Sequence, residues 1–272
     1  MNRLSIADRV RIVSALVEGT GINATCRITG ISKPTVLKLL FDLGQVCLAY
    51  HDEHVRGLKS KRVQCDEIWS FVGAKAKNVR PEKDGQWGDV WTWTAIDADS
   101  KLMVSYLVGE RSPAWANFFM KDVASRVTSR IQLTTDGLKM YGNAVDGAFG
   151  CDVDYAMLIK LYGNDSYDTK YSPGECIGVR MAVLSGDPDP NHISTSYVER
   201  QNLTMRMSMR RFTRLTNAHS KKIENHRAAI ALHYMHYNYC RIHSTLKVTP
   251  AMEAEIAGHV WSIEELVGLL AN

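Results

Sequence analysis

No Cys-x-x-Cys pair occurs among the six cysteines (Cys26, Cys47, Cys65, Cys151, Cys176, Cys240), and their scatter excludes a zinc finger of ordinary spacing. A chain of 272 residues needs no disulfides to fold, so the cysteines read as reduced and the compartment as the cytosol. No apolar run approaches the roughly 20 residues that span a bilayer. The start, Met1 to Leu4, leads into a charged amphipathic stretch instead of a signal peptide's apolar region. Large excess charge is also missing. The net charge is only +4, which permits a nucleic-acid partner without requiring one, so the placement of charge carries the information. Internal repeats and low-complexity tracts are absent too.

What is present begins with helical periodicity over residues 1–50. Ser5 is placed to cap a helix from Ile6 to about Val17, with Ile6, Val10, Val13 and Val17 near one face. Gly19 to Gly21 breaks it, and a short helix from Ile22 to Ile28 follows. Ser32 then precedes a helix with Pro34 in its first turn, where the missing N–H costs nothing, and with Val36, Leu37, Leu39, Leu40 and Leu43 as its apolar positions. Helix, short helix, glycine turn and a helix opening Ser-Lys-Pro-Thr form the pattern of a helix-turn-helix. A small helical bundle of another kind fits the same pattern. In the first reading Lys33, Thr35 and Lys38 lie nearest DNA.

Residues 51–64 read as a basic linker carrying Arg56, Lys59, Lys61 and Arg62. Alternation then takes over. Strands are expected at Val63 to Val72, Asp89 to Asp97, Leu102 to Val108, Ile131 to Thr135 and Tyr155 to Leu161, with helices from Pro113 to Val127 and from about Leu138. Three meandering strands followed by helix, strand, helix and strand give an α/β fold, a ribonuclease-H-like mixed sheet flanked by helices, preceded by the all-α unit. Residues 163–195 are rich in Gly, Pro, Asp and Ser and read as a long loop or hairpin insertion in a catalytic domain spanning 65–250. Long helices are expected from Ser194 or Thr195 to about Phe212 and from Lys221 to about Asn238, and residues 251–272 form a helical tail.

Three carboxylates stand out. Asp66 sits inside an apolar strand, where Asp is disfavoured and a buried charge is costly unless compensated; a bound cation or an edge facing water would each explain it. Its neighbour Glu67 points to the opposite face, so only one of the two is expected to serve a site. Asp136 ends a strand, the usual place for sites in open α/β sheets, although a turn or helix-capping Asp sits there equally well. Glu199 shares a helix side with Arg206 and Arg210, apart from the core face of Val198, Met205, Met209 and Phe212. Residues 200–227 hold eight Lys or Arg (including Arg214) against one acid, Glu224, which argues against an ordinary ion-paired surface. Three such carboxylates suffice for phosphodiester chemistry with two Mg²⁺ ions, Mn²⁺ being able to substitute. His226 and His233 share one face of the last long helix and read as packing or DNA-contacting residues.

Asp66-Glu67-Ile68-Trp69-Ser70-Phe71-Val72-Gly73-Ala74-Lys75 resembles the first catalytic block of bacterial insertion-sequence transposases of the InsB type, the insertion sequence 1 family. Thr135-Asp136-Gly137-Leu138-Lys139-Met140-Tyr141 resembles the second block, and Tyr197-Val198-Glu199-Arg200-Gln201-Asn202-Leu203-Thr204-Met205-Arg206 the third, with Arg206 in the place of the family's basic residue. The resemblance implies a DDE transposase with a ribonuclease-H-like domain, Asp66, Asp136 and Glu199 as catalytic metal ligands, and cut-and-join chemistry on double-stranded DNA. It also implies action on the element's terminal inverted repeats and a target, by a homodimer or larger assembly. The chain lacks the zinc-binding N-terminus often found in that family, and its tail from Tyr237 to Pro250 is closer to other integrase-type transposases. Two other functions fit part of the pattern: a ribonuclease-H-like nuclease that cuts without joining, and a transposase-derived DNA-binding regulator.

Overall fold

The computed structural model describes residues 4–163, 175–213 and 217–271; the first three residues and Arg214 lie outside it. Three helices open the chain: α1 (Ile6–Val17), α2 (Ile22–Thr29) and α3 (Lys33–His54). Ser5 caps α1, its hydroxyl accepting from the Asp8 N–H at 3.1 Å. Gly30 closes α2 at φ 73°, a left-handed C-cap that a residue with a Cβ enters only under strain. Ser32 precedes α3, but its hydroxyl pairs with Thr35 Oγ1 at 2.8 Å and caps no backbone N–H.

The third helix extends four residues into the stretch expected to be a linker. His51 is the reason: it is buried, with Nε2 against the Val104 carbonyl at 3.1 Å. A polar-looking sequence here hides a helix end that packs inward. The buried face of α3 lies along α7 (Ile223–Met235), and the two cross at Gly44, where a Cβ would stand 2.5 Å from Ala228. Glycine inside a helix costs about 1 kcal/mol relative to alanine, and this crossing admits nothing larger.

The sheet begins with an antiparallel meander of β1 (Arg62–Val72), β2 (Gly88–Asp97) and β3 (Met103–Gly109). After α4 (Pro113–Arg126), β4 (Ile131–Thr135) pairs parallel to β1; after α5 (Met140–Phe149), β5 (Val153–Tyr162) pairs parallel to β4. β6 (Cys176–Ser185) returns antiparallel to β5 and gives a six-stranded order β3-β2-β1-β4-β5-β6. This α/β arrangement is consistent with a ribonuclease-H-like fold. Of the stretch expected as an insertion, 176–185 thus form an edge strand and 164–174 lie outside the described residues.

Helices cover both faces of the sheet. Trp93, opposite Glu67 in the β1–β2 register, stacks with Phe119 of α4 and Tyr141 of α5. Thr94, opposite Asp66, reaches Asn202 on α6 (Ser196–Ser208), which lies on the other face. The short helices α8 (Pro250–Glu253) and α9 (Ile263–Gly268) follow, and Trp261 packs with Tyr50 and Tyr239 at ring distances of 5.2 and 5.1 Å. One apolar cluster therefore runs from Ile12 in α1 through the sheet to Val267 in α9. The six cysteines are free, and no described helix is long and apolar enough to cross a membrane.

Candidate active site

The β1–β4 ladder stops at the pair Cys65–Thr135, while β1 continues to Val72 against β2 alone. Asp66 and Glu67 are thus the first two residues of β1 beyond the end of β4, and Asp136 is the first residue after it. The pleat sends Asp66 and Glu67 to opposite faces, as expected, but with no strand between them and Asp136 both carboxyls reach round the end of β4. One ligand oxygen from each of Asp66, Glu67 and Asp136 lies within 4.8 Å of the others. The expectation that only one of the adjacent pair serves the site is corrected by this strand end: opposite faces separate side chains only where a neighbouring strand fills the space.

The three carboxyls repel and are poorly solvated. Burial, then the Asp136 charge, raises the Asp66 pKa to about 6, and the same two causes raise Glu67 to about 7. Asp136 is raised as well, chiefly by burial, although its Oδ1 accepts from the Leu138 N–H at 3.0 Å. Asp136 therefore performs the turn-capping role and still turns its charge toward the cluster. Glu67 is almost completely covered; its Oε2 accepts from Arg111 Nε at 3.2 Å, while Oε1 has no partner. The buried Tyr141 hydroxyl adjoins this carboxyl, also without a hydrogen bond of ordinary geometry.

Glu199 stands in the first turn of α6 and is not in the 4.8 Å group. Its charge still raises the pKa of both Asp66 and Asp136. Lys160 of β5 forms a salt bridge with it, and Thr195 Oγ1 donates to its Oε1 at 2.6 Å. One turn further along α6, Asn202 Nδ2 donates to Asp66 Oδ2 at 2.8 Å. The helix carrying Glu199 is thereby pinned to the strand carrying Asp66. At the start of α6, the Gln64 side-chain oxygen accepts from the Tyr197 and Val198 N–H groups at 2.8 and 3.2 Å.

The basic residues fall elsewhere than expected. α6 ends at Ser208 and Met209 is extended, so Arg210 does not share a helix side with Glu199. Arg206 remains on α6, two turns from Glu199 and half-buried. Arg210 instead lines a cleft with Lys33, at the start of α3. Lys38 is exposed and pairs with Asp42 at 2.6 Å, and Thr35 is half-buried. His226 and His233 are buried, and burial holds both pKa values down at about 3, so they are neutral packing residues. Asp97 accepts from the Asp99 and Ser100 N–H groups in a turn, and Asp99 pairs with Arg62, which keeps both away from the cluster.

Sequence reasoning missed Glu67, Arg111, Lys160 and Asn202. Only Asn202 had a local signal, its spacing of three from Glu199 on one helix. The others depend on where β4 stops and where β5 lies.

No family model matches the chain. No curated protein matches it either. Among solved structures, a piggyBac transposase synaptic complex with hairpin DNA is similar at a TM-score of 0.44 and 11% identity, over 97% of this chain and 69% of that one. A Mos1 transposase paired-end complex with the left transposon end is similar at a TM-score of 0.26 and 12% identity, over 57% of this chain and 59% of that one.

Proposed function

We propose that the chain is a DDE-type DNA transposase that binds the ends of its element and carries out Mg²⁺-dependent cleavage and strand transfer, as the resemblance to insertion sequence 1 transposases implies. The observation that carries this reading is the clustering of Asp66, Glu67 and Asp136 within 4.8 Å at one strand end, with Glu199 in electrostatic reach. Mutually repelling carboxyls, one with a buried and unpartnered oxygen, form a set of hard oxygen donors that fits a divalent cation such as Mg²⁺. Asp66, Asp136 and Glu199 would hold it, with Glu67 beside them. Bound there, Mg²⁺ supplies polarisation of a phosphodiester and activation of the attacking hydroxyl.

The chain's own groups do the rest. Asn202 orients the Asp66 carboxylate through its amide. Lys160 and Arg111 pair with Glu199 and Glu67 beside the acids and would supply positive charge to a phosphate bound there. Lys33, Thr35 and Lys38, at the exposed start of α3, are the residues this reading assigns to the major groove of the element's end, with α1 to α3 as the helix-turn-helix. Action on two ends and a target calls for at least a dimer on DNA.

The test is a strand-transfer assay with Asp66→Asn, Asp136→Asn and Glu199→Gln. Each amide keeps the side-chain size and removes the charge that holds the metal. Each is expected to lower cleavage and joining by at least about 100-fold with DNA binding and melting temperature preserved. Full strand transfer by Asp136→Asn would refute the proposal.

A further inference from the structure

A second charged site lies away from the carboxylates, in a cleft of about 650 Å³ between α2, the first half of α3, α7 and the connection from α6 to α7. Five cations line it: Arg27, Lys33, Arg210, Arg211 and Lys221. No Asp or Glu lines it, and none of the five has a salt-bridge partner among the described residues. The first turn of α2, Gly21 to Ala24, opens onto the same cleft, and no side chain caps it. Its free N–H groups and the positive end of the helix dipole therefore add to the field of the side chains.

One further observation points to an occupant. Arg211 is half-buried without a carboxylate; it donates instead to the Ser220 hydroxyl. A guanidinium without a carboxylate and an uncapped helix start both present donors to one cleft whose described wall carries no carboxylate. The walls are also held in place. Gly19, at φ 81°, lets the α1–α2 turn come so near the end of α6 that a Cβ would stand 3.0 Å from the Ser208 carbonyl. On the other side, Ser220 contacts His226 Nδ1 at 3.1 Å, His226 Nε2 contacts Ser70 at 3.0 Å, and the Ser220 carbonyl accepts from the Gly73 N–H at 2.7 Å. Ser70 lies on β1, four residues beyond Asp66, so the cleft floor is stitched to the strand that carries the acids.

We propose that this cleft binds a backbone phosphate of duplex DNA and clamps it between the N-terminal helices and the catalytic sheet. Donors that converge on a single volume suit a tetrahedral anion, and the cations at its rim (Arg27, Lys33, Arg210 and Lys221, all exposed) suit the neighbouring phosphates of a continuous strand. The choice of DNA as the source of the phosphate rests on the transposase reading; the anion site does not.

The experiment uses the full chain, with Arg27→Gln/Lys221→Gln as the test variant and Lys77→Gln/Lys121→Gln, exposed lysines outside the cleft, as a control of equal charge. Thermal melting is measured with inorganic phosphate against chloride at matched ionic strength, and affinity for a short random-sequence duplex is measured as a function of salt. Phosphate is expected to raise the melting temperature of the wild type and the control saturably and to raise that of the test variant less at every concentration, since the two rim cations strengthen the field at the central anion. The test variant should bind the duplex at least about tenfold more weakly at low salt, with a log–log salt slope reduced by about 1.8, that is about 0.9 for each lost contact. An equal phosphate response in wild type and test variant, or an unchanged slope, overturns the clamp. A lowered phosphate response in the test variant with duplex binding intact overturns DNA as the source and leaves a free-phosphate site. If these binding results hold while strand transfer is undetectable, the clamp stands and only the proposed reaction fails.

Discussion

Two regions of this molecule gather charge of one sign with too little of the other beside it, and they house it differently. At the end of β4, Asp66, Glu67 and Asp136 are largely buried and their pKa values are pushed up. Between α2 and the α6–α7 connection, four of the five cations are exposed on long flexible stems, and only Arg211 is pushed down by desolvation, to about 10. Buried like charges destabilise their own fold until something compact neutralises them. Exposed ones cost little and can be met by an extended polyanion. The housing of the charge thus separates a site that fits a small cation from the one proposed to meet a strand of phosphates.

The sharpest way to break this contrast is at Glu67. If its buried carboxyl belongs to the acidic site, Glu67→Gln should reduce strand transfer by about 10- to 100-fold, the size of effect seen for groups that orient metal ligands. Asp99→Asn, which loses only a half-exposed pairing with Arg62, should stay near wild type. Equal losses in the two variants would remove Glu67 from the site.

A smaller effect is expected in the pH dependence of stability. Asp66 and Glu67 have folded pKa values of about 6 and about 7, above their ordinary values. At these two groups the folded protein binds more protons than the unfolded chain between about pH 4 and pH 7, so their contribution to metal-free stability falls as pH rises through that window. The melting temperature of chelator-treated wild type, relative to an Asp66→Asn/Glu67→Gln variant, should decline across it, and millimolar Mg²⁺ should flatten that relative decline. Asp136→Asn should flatten it without metal, since the Asp136 charge is one cause of both shifts. The buried histidines act the other way: His51, His226 and His233, held at about 3, are protonated only on unfolding below about pH 6.5 and make stability rise with pH, a share that cancels in the comparison between variants. A metal-free difference between wild type and the Asp66→Asn/Glu67→Gln variant that stays constant or climbs from pH 4 to 7 would contradict the account.

Periodicity located the elements well where one face is apolar. The β4 bounds Ile131–Thr135 and the α4 start at Pro113 are those the sequence implies. It failed where tertiary contact outweighs composition. His51 looks like linker but is buried on the sheet, and β6, apolar at Ile177, Val179, Met181, Val183 and Leu184, is hidden by the Gly, Pro, Asp and Ser that flank it in the 163–195 window. At the site, Asp66 and Asp136 were legible as carboxylates at odd positions of strands. Glu67 was dismissed by a pleat argument that assumes a full sheet, and the early end of β4, which voids it, has no local signature. Arg210 was misplaced because α6 stops at Ser208 with no glycine or proline to announce it.

The central claim is that the acidic end of β4 holds a divalent cation through Asp66 and Asp136. Calorimetric titration of the full chain with Mn²⁺ at pH 7.5 tests it without reference to DNA or turnover. Saturable binding in the wild type is predicted, lost in both Asp66→Asn and Asp136→Asn and retained in Arg27→Gln/Lys221→Gln. Undiminished Mn²⁺ binding by Asp136→Asn would contradict it.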